Sequence, residues 1–221
     1  MELIKSFIDL FIHLDHHVAE LAAGHGTWIY AILFAIIFAE TGFVVTPFLP
    51  GDSLLFVLGA LAARDSLSLG ALWVLLAIAA VAGDAINYWI GKKLALKVLN
   101  NEKIPFLKQE YLDRTAAFFE KYGKKTIILA RFVPIVRTFA PFLAGVGKMK
   151  YAVFASYNVI GGLVWVTAGL GSGFLFGNIP FVAKNFSMVV LGIVVLSLVP
   201  AVLEFLKHRQ PSGNIDKTYR G

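Results

Sequence analysis

Apolar residues run almost without a break over 27–63, 67–91, 126–147, 151–177 and 181–206, and polar residues gather between these stretches. A helix needs about 20 residues to cross the hydrocarbon of a bilayer. Residues 67–91, 151–177 and 181–206 each predict one crossing. Residues 27–63 are too many for one crossing and too few for two plus a turn. Residues 126–147 are short and hold both prolines and arginines. Proline removes a backbone donor and collides with the preceding turn. Pro47, Pro50 and Gly51 are therefore expected to break the first stretch, and Pro134 and Pro141 the second. Broken backbone at membrane depth is tolerated only where protein or a water-filled cavity surrounds it. Both stretches are expected to be re-entrant hairpins, the first with its tip near Pro47–Gly51. Asp52 or Ser53 is placed to cap the helix that follows that tip.

Two further segments carry a helical period with a polar face. In residues 1–24, Ile4, Phe7, Ile8, Phe11, Leu14, Val18 and Leu21 fall on one side, and Asp9, His13, His16, His17 and Glu20 largely on the other. This predicts a helix lying at the interface. The three histidines have a spacing that suits a metal, but no fourth ligand is evident, and a wet polar face accounts for them. Tyr111, Thr115, Phe118, Phe119 and Tyr122 alternate with charges, predicting a surface helix over about 108–122 that ends at Gly123. Within the spans, Gly83, Asn87 and Gly91 share one face, as do Gly161, Trp165, Gly169, Gly173 and Gly177. Such stripes let helices approach closely, and Asn87 is placed to bond across the contact.

Composition sharpens this to an all-α polytopic membrane protein. The chain has 221 residues, 58% hydrophobic and 15% charged, against about 25% charged in soluble domains. It has no cysteine, which excludes disulfide and thiolate chemistry. The net charge of +6 does not suggest nucleic acid, because the basic residues lie between and after the apolar runs. Residues 92–125 hold nine Lys/Arg against four Asp/Glu, which keeps such a loop cytoplasmic. Lys207, His208 and Arg209 place the C-terminus on the same side. Glu2 and the interleaved polar positions that follow argue against a cleavable signal peptide.

The order of parts repeats. Thr46–Gly51 reads TPFLPG and Ala140–Gly145 reads APFLAG. Residues 1–91 and 104–177 each give an amphipathic helix, a re-entrant broken hairpin and a transmembrane helix. Residues 181–206 add a C-terminal transmembrane helix, and 210–221 form a disordered cytoplasmic tail after a single membrane domain over 1–209. The acidic first surface helix and the strongly basic loop before the second hairpin predict opposite orientations, an inverted repeat of the kind secondary transporters place around a midplane site.

Charges sit beside both breaks: Glu40 and Asp52 in the first, Arg131 and Arg137 in the second. Charged groups at membrane depth are costly and mark ion or substrate paths. If the hairpin tips meet, all four are expected to share one cavity. Paired arginines suit a phosphate, and a carboxylate whose burial outweighs its arginine partner carries a proton. Asp84, Asn87 and Ser53 are secondary candidates. The plainer alternative is a static salt-bridge cluster that holds the hairpins together.

The strings FAETGFVVTPFLPGDSLLFVLGALA, GDAINYWIG, KTIILARFVPIVRTFAPFLAGVGKM and YNVIGGLVW, in that order and spacing, resemble the bacterial DedA family, also called the SNARE-associated or VTT-domain group. The resemblance runs from about residue 4 to 209. It implies an inner-membrane protein tied to envelope homeostasis, proton-motive force and lipid transport, with undecaprenyl phosphate or phospholipids such as phosphatidylethanolamine as cargo. It also implies functional acids at Glu40 and Asp52 and functional arginines at Arg131 and Arg137, with no departure at these positions.

The expected function is a proton-linked flippase of anionic or phosphate-headgroup lipids, and not an enzyme. The expected partners are membrane lipids and protons, with no nucleic acid, no cofactor and no metal; a homo-oligomer is compatible with the sequence. Alternatives are a proton/cation antiporter or channel, a non-catalytic membrane organiser, and an enzyme acting on lipid phosphates. The last would want a nucleophile near the arginines, and only Ser53 lies beside an acid.

Overall fold

A computed structural model describes residues 28–42, 51–99 and 109–177, with single positions at 179, 180, 182, 188, 189 and 192. The predicted helix over 1–24 with His13, His16 and His17, the breakers Pro47 and Pro50, the tail 210–221 and nearly all of 181–206 lie outside the described residues.

The described elements are helical. They are α1 (Trp28–Gly42), α2 (Gly51–Ala62), α3 (Leu69–Leu99), α4 (Gln109–Tyr122), α5 (Thr126–Leu129), α6 (Pro134–Val146) and α7 (Tyr151–Phe176). Short 3-10 turns at Gly123–Lys125 and Ala130–Phe132 flank α5. α3 and α7 have 31 and 26 residues. At about 1.5 Å per residue each exceeds the roughly 30 Å of hydrocarbon. α1, α2 and α6, with 15, 12 and 13 residues, fall short of it.

Two boundaries differ instructively from the sequence pattern. α3 continues to Leu99, beyond the apolar run that ends at Gly91. Lys92 and Lys93 are exposed, while Ala95 is buried against Leu112 of α4, so packing extends the helix into polar sequence. Pro141 does not break the second hairpin: α6 runs through it. A proline there deletes one donor, to the Arg137 carbonyl, and packing of α6 against α3 and α4 holds the helix across the gap. The break falls at Val133 instead, extended at φ −119, ψ 107. The residue before a proline is pushed out of the helical region, and Pro134 then suits the first helical position. Gly123 ends α4 as expected, at φ +57.

The arms cross between halves. α1 lies along α3, and α5 along α7, but α2 packs on α7 and α6 packs on α3. Both crossings are glycine seams. A Cβ on Gly59 would collide with the Leu170 carbonyl, and one on Gly173 with the Phe56 carbonyl. In the other seam, a Cβ on Gly145 would collide with the Tyr88 carbonyl, and one on Gly91 with the Phe142 carbonyl. In each seam a glycine three residues after a phenylalanine meets the long helix, so Phe56–Gly59 and Phe142–Gly145 occupy matching places. The matching strings TPFLPG and APFLAG do not: Gly51 opens α2, whereas Gly145 lies near the end of α6.

The apolar core gathers α1, α2, α3 and α7 around Ile37, Leu55, Leu58, Leu72, Leu76 and Leu170. Away from it, Val74, Ile78, Ile160 and Leu175 are 52%, 55%, 51% and 72% exposed. Large apolar side chains left outward along both long helices are what a lipid solvent covers.

The seams set a stability test. Gly145→Ala is expected to destabilise by about 1–3 kcal/mol through overpacking. Gly171→Ala, where a Cβ meets nothing within 4 Å, is expected to be neutral or to stabilise by about 0.5–1 kcal/mol. Thermal unfolding of the purified protein in detergent checks the order; equal unfolding temperatures would count against the seam.

Candidate functional site

The break between α1 and α2 leaves the start of α2 with unpaired N–H groups, as at any helix N-terminus. Glu40, in the last turn of α1, meets them: Gly51 N donates to Glu40 Oε1 at 3.3 Å. A Cβ on Gly51 would collide with the Glu40 carboxylate, so the carboxylate sits directly on that glycine. Asp52 and Ser53, expected as caps, lie inside the first turn of α2. The capping role falls to an acid from the opposite arm, and a carboxylate is favourable at this end of a helix. Asp52 is exposed and Ser53 buried.

Arg137 comes from the first turns of α6, just after the break at Val133, where its N–H donates to the Val133 carbonyl at 2.9 Å. Its guanidinium stands 3.5 Å from Glu40 Oε1 through Nη2 and 3.4 Å from Asp52 Oδ1 through Nη1. Its Cζ lies 4.5 Å from the centroid of the Trp165 ring. The same tryptophan donates Nε1–H to Asp52 Oδ1 at 2.7 Å. One ring of α7 therefore carries the cation and fixes the anion beside it, a cation–π contact and a hydrogen bond from one side chain. Glu40 Oε2 and Arg137 Nη2 are buried and make no hydrogen bond.

Arg131 does not join this group. Its Nη2 donates to Asp84 Oδ2 of α3 at 2.5 Å and to Asn158 Oδ1 of α7 at 2.6 Å. Asn158 Nδ2 in turn donates to the Val81 carbonyl of α3 at 2.9 Å. The expected single cluster of two acids and two arginines is therefore corrected to two nodes. Glu40 and Asp52 meet Arg137, and Asp84 takes Arg131. The cause is register: Arg131 precedes the break and Arg137 follows it, so the turn at Val133 sends them to different neighbours.

Asn87 does bond across its contact. Its Nδ2 donates to the Thr138 carbonyl of α6 at 2.8 Å and to the Thr41 carbonyl of α1 at 3.4 Å. It ties α1 and α6 to α3, beside Gly83, which lies against Thr41 and Gly42. Its Oδ1 is buried without a hydrogen bond.

Two participants escaped the sequence reading. The stripe predicts Trp165 as one more packing residue, yet it alone interrupts the glycines along that face of α7. A buried indole N–H needs an acceptor, which pointed to a polar partner. Asn158 is a buried amide in an apolar span, a residue type that rarely sits there without a bond to make. Among the described residues no group of three or more acidic or histidine side chains could hold a metal.

This arrangement defines a helical membrane protein with charged side chains paired between its helices. A model of the VTT domain matches residues 49–175, more than half of the chain. The chain is 52% identical to Protein DedA of Escherichia coli K12 over 219 residues, covering 98% of this chain and all of that one. It is 44% identical over 173 residues to the uncharacterized membrane protein Rv0364 of Mycobacterium tuberculosis H37Rv, covering 77% and 76% of the two chains. It is 32% identical over 187 residues to the inner membrane protein YghB of Salmonella typhimurium LT2, covering 82% and 84%. The chain belongs to the DedA family of VTT-domain membrane proteins. No solved structure matches it.

The contact between Glu40 and Gly51 generates a double-mutant test. Gly51→Ala is expected to lower the unfolding temperature by displacing the carboxylate. Adding Glu40→Asp, one methylene shorter, is expected to recover about 1 kcal/mol of that loss, a non-additivity typical of residues in contact. Strict additivity in detergent unfolding would show that the two do not touch.

Proposed function

We propose that the protein is a proton-motive-force-linked transporter of lipids with an anionic or phosphate headgroup, undecaprenyl phosphate or a phospholipid, in the inner membrane. The observation that carries this reading is the incompletely bonded Arg137 node. Its ion pairs stand at 3.4 and 3.5 Å, longer than the roughly 2.7–2.9 Å of a tight charge-assisted bond. A guanidinium held this loosely, on a tryptophan face, keeps its planar fork for a phosphate. A headgroup that takes Arg137 leaves Glu40 as a buried anion without its partner. That state is costly, and a proton on the carboxylate removes the cost. Headgroup and proton then bind together at one site, which lets a proton gradient drive the cargo. Apart from the O–H bond made and broken on Glu40, no covalent bond changes in this cycle, as in a carrier.

The crossed arms support an inverted repeat in the register Phe56–Gly59 on Phe142–Gly145. In such repeats broken helices meet around the cargo. The basic stretch 92–125 then faces the cytoplasm, and the C-terminus lies on the same side. A proton/cation antiporter would use the same acids but would not need the guanidinium to reach a headgroup.

The test is a leaflet-exposure assay in proteoliposomes with undecaprenyl phosphate or phosphatidylethanolamine, with and without a pH gradient. Gradient-dependent movement of a phosphate lipid is expected. Glu40→Gln and Arg137→Ala are each expected to reduce it by about 100-fold, the scale of losing a buried charge partner. Ion flux without lipid dependence would favour the antiporter, and released inorganic phosphate would favour an enzyme. Full activity in both variants ends the carrier reading.

A further inference from the structure

Each of the two arginines beside the second break leaves one buried nitrogen without a hydrogen bond, Arg131 Nε and Arg137 Nη2, but their pairings differ in length and exposure. The Arg131 side chain is 4% exposed and that of its partner Asp84 is 7%. One nitrogen, Nη2, reaches both Asp84 and Asn158 within 2.6 Å. The far flank is closed as well: a Cβ on Gly161 would stand 3.1 Å from Nε, and one on Gly162 3.5 Å from Nη2. Three backbones converge here, since Asn158 also holds the Val81 carbonyl of α3. Arg137 is the opposite case. Its side chain is 12% exposed, its partner Asp52 is 47% exposed, and both its pairings are long.

We propose that Asp84 and Asn158 are positioning residues that lock Arg131 as a tie between α3, α7 and the segment before the break at Val133, leaving Arg137 as the arginine that meets the phosphate headgroup. This rests on the transport reading above and divides its site. The tie fixes where the second hairpin breaks, and so where α6 begins and Arg137 stands. Arg131 acts on the cargo through that placement and does not touch it.

The atoms used give the discriminating variants. Removing one member of a buried ion pair strands the other, whereas replacing both with neutral groups of similar shape is often tolerated. Arg131→Gln alone is therefore expected to lower phosphate-lipid movement in proteoliposomes by more than about tenfold. Adding Asp84→Asn is expected to restore it to within about threefold of wild type, with the half-saturating lipid concentration unchanged, as removal of the stranded charge requires. Arg131→Lys is expected to retain activity, because a single ammonium can serve both acceptors. Arg137→Lys is expected to lose it and to raise half-saturation, because the fork and the ring contact are gone. Arg137→Gln is not expected to recover with Glu40→Gln or Asp52→Asn.

Detergent unfolding is measured in parallel. The Arg131 and Asp84 single variants are expected to unfold earlier than wild type, and the double variant later than either. If the double variant folds as wild type but stays as inactive as Arg131→Gln, Arg131 contacts the headgroup and the division of labour is overturned. If the wild type moves no phosphate lipid, the transport reading fails on its own account. The unfolding cycle then still decides the tie, and additive single losses would remove it.

Discussion

A charge or an unpaired backbone group at membrane depth has no water to turn to, so each must find its partner within the protein. Glu40 and Gly51 show how that constraint shapes this chain. The break between α1 and α2 frees N–H groups at the start of α2, and the carboxylate that ends α1 is seated on them. The same carboxylate then needs a cation, which α6 supplies as Arg137. One helix break thus calls for an acid, and that acid calls for an arginine from the other half of the chain. The halves are joined by this chain of needs as much as by apolar packing.

The glycine seams are what bring the donors within reach. A carbonyl of α2 or α6 lies over a glycine of the opposite long helix, and a carbonyl of that helix over a glycine of the arm. With side chains at these places the arms would stand further off, and Trp165 could not reach Asp52. On the glycine-lined face of α7 the large residue is Trp165, and its ring spans Asp52 and Arg137.

Much of this was legible in the residues. Apolar length gave α3 and α7, charge alternation gave α4 and its stop at Gly123, and Pro134 gave the second break. Asn87 announced itself as an amide between two glycines. What could not be read was which arginine finds which acid. Arg131 and Arg137 are six residues apart with a proline between them, and a composition-level reading treats them alike. Their partners depend on how far the chain turns at Val133 and on which face of α3 carries Asp84. Those are properties of a three-body crossing that no local period encodes. Pro141 misled for a related reason: proline ends an isolated helix, but α6 is flanked by α3 and α4, and the lost donor is a single one.

The two nodes are of unlike tightness. Breaking the Arg131 bonds to Asp84 and Asn158 strands a buried acid and a buried cation at once, and no side of the node is open to compensate. Separating Arg137 from Glu40 or Asp52 breaks contacts that are already long, beside an acid that is already exposed. The Arg131 node is therefore the tighter of the two, and the Arg137 node the looser. The short segment from Thr126 to Phe132 packs on α7 and is tied to α3 through Arg131, while α6, joined to it through the extended Val133, packs along α3 and α4. The break that sequence presents as a defect in a helix is in this arrangement the joint between a tight charge pair and a loose one.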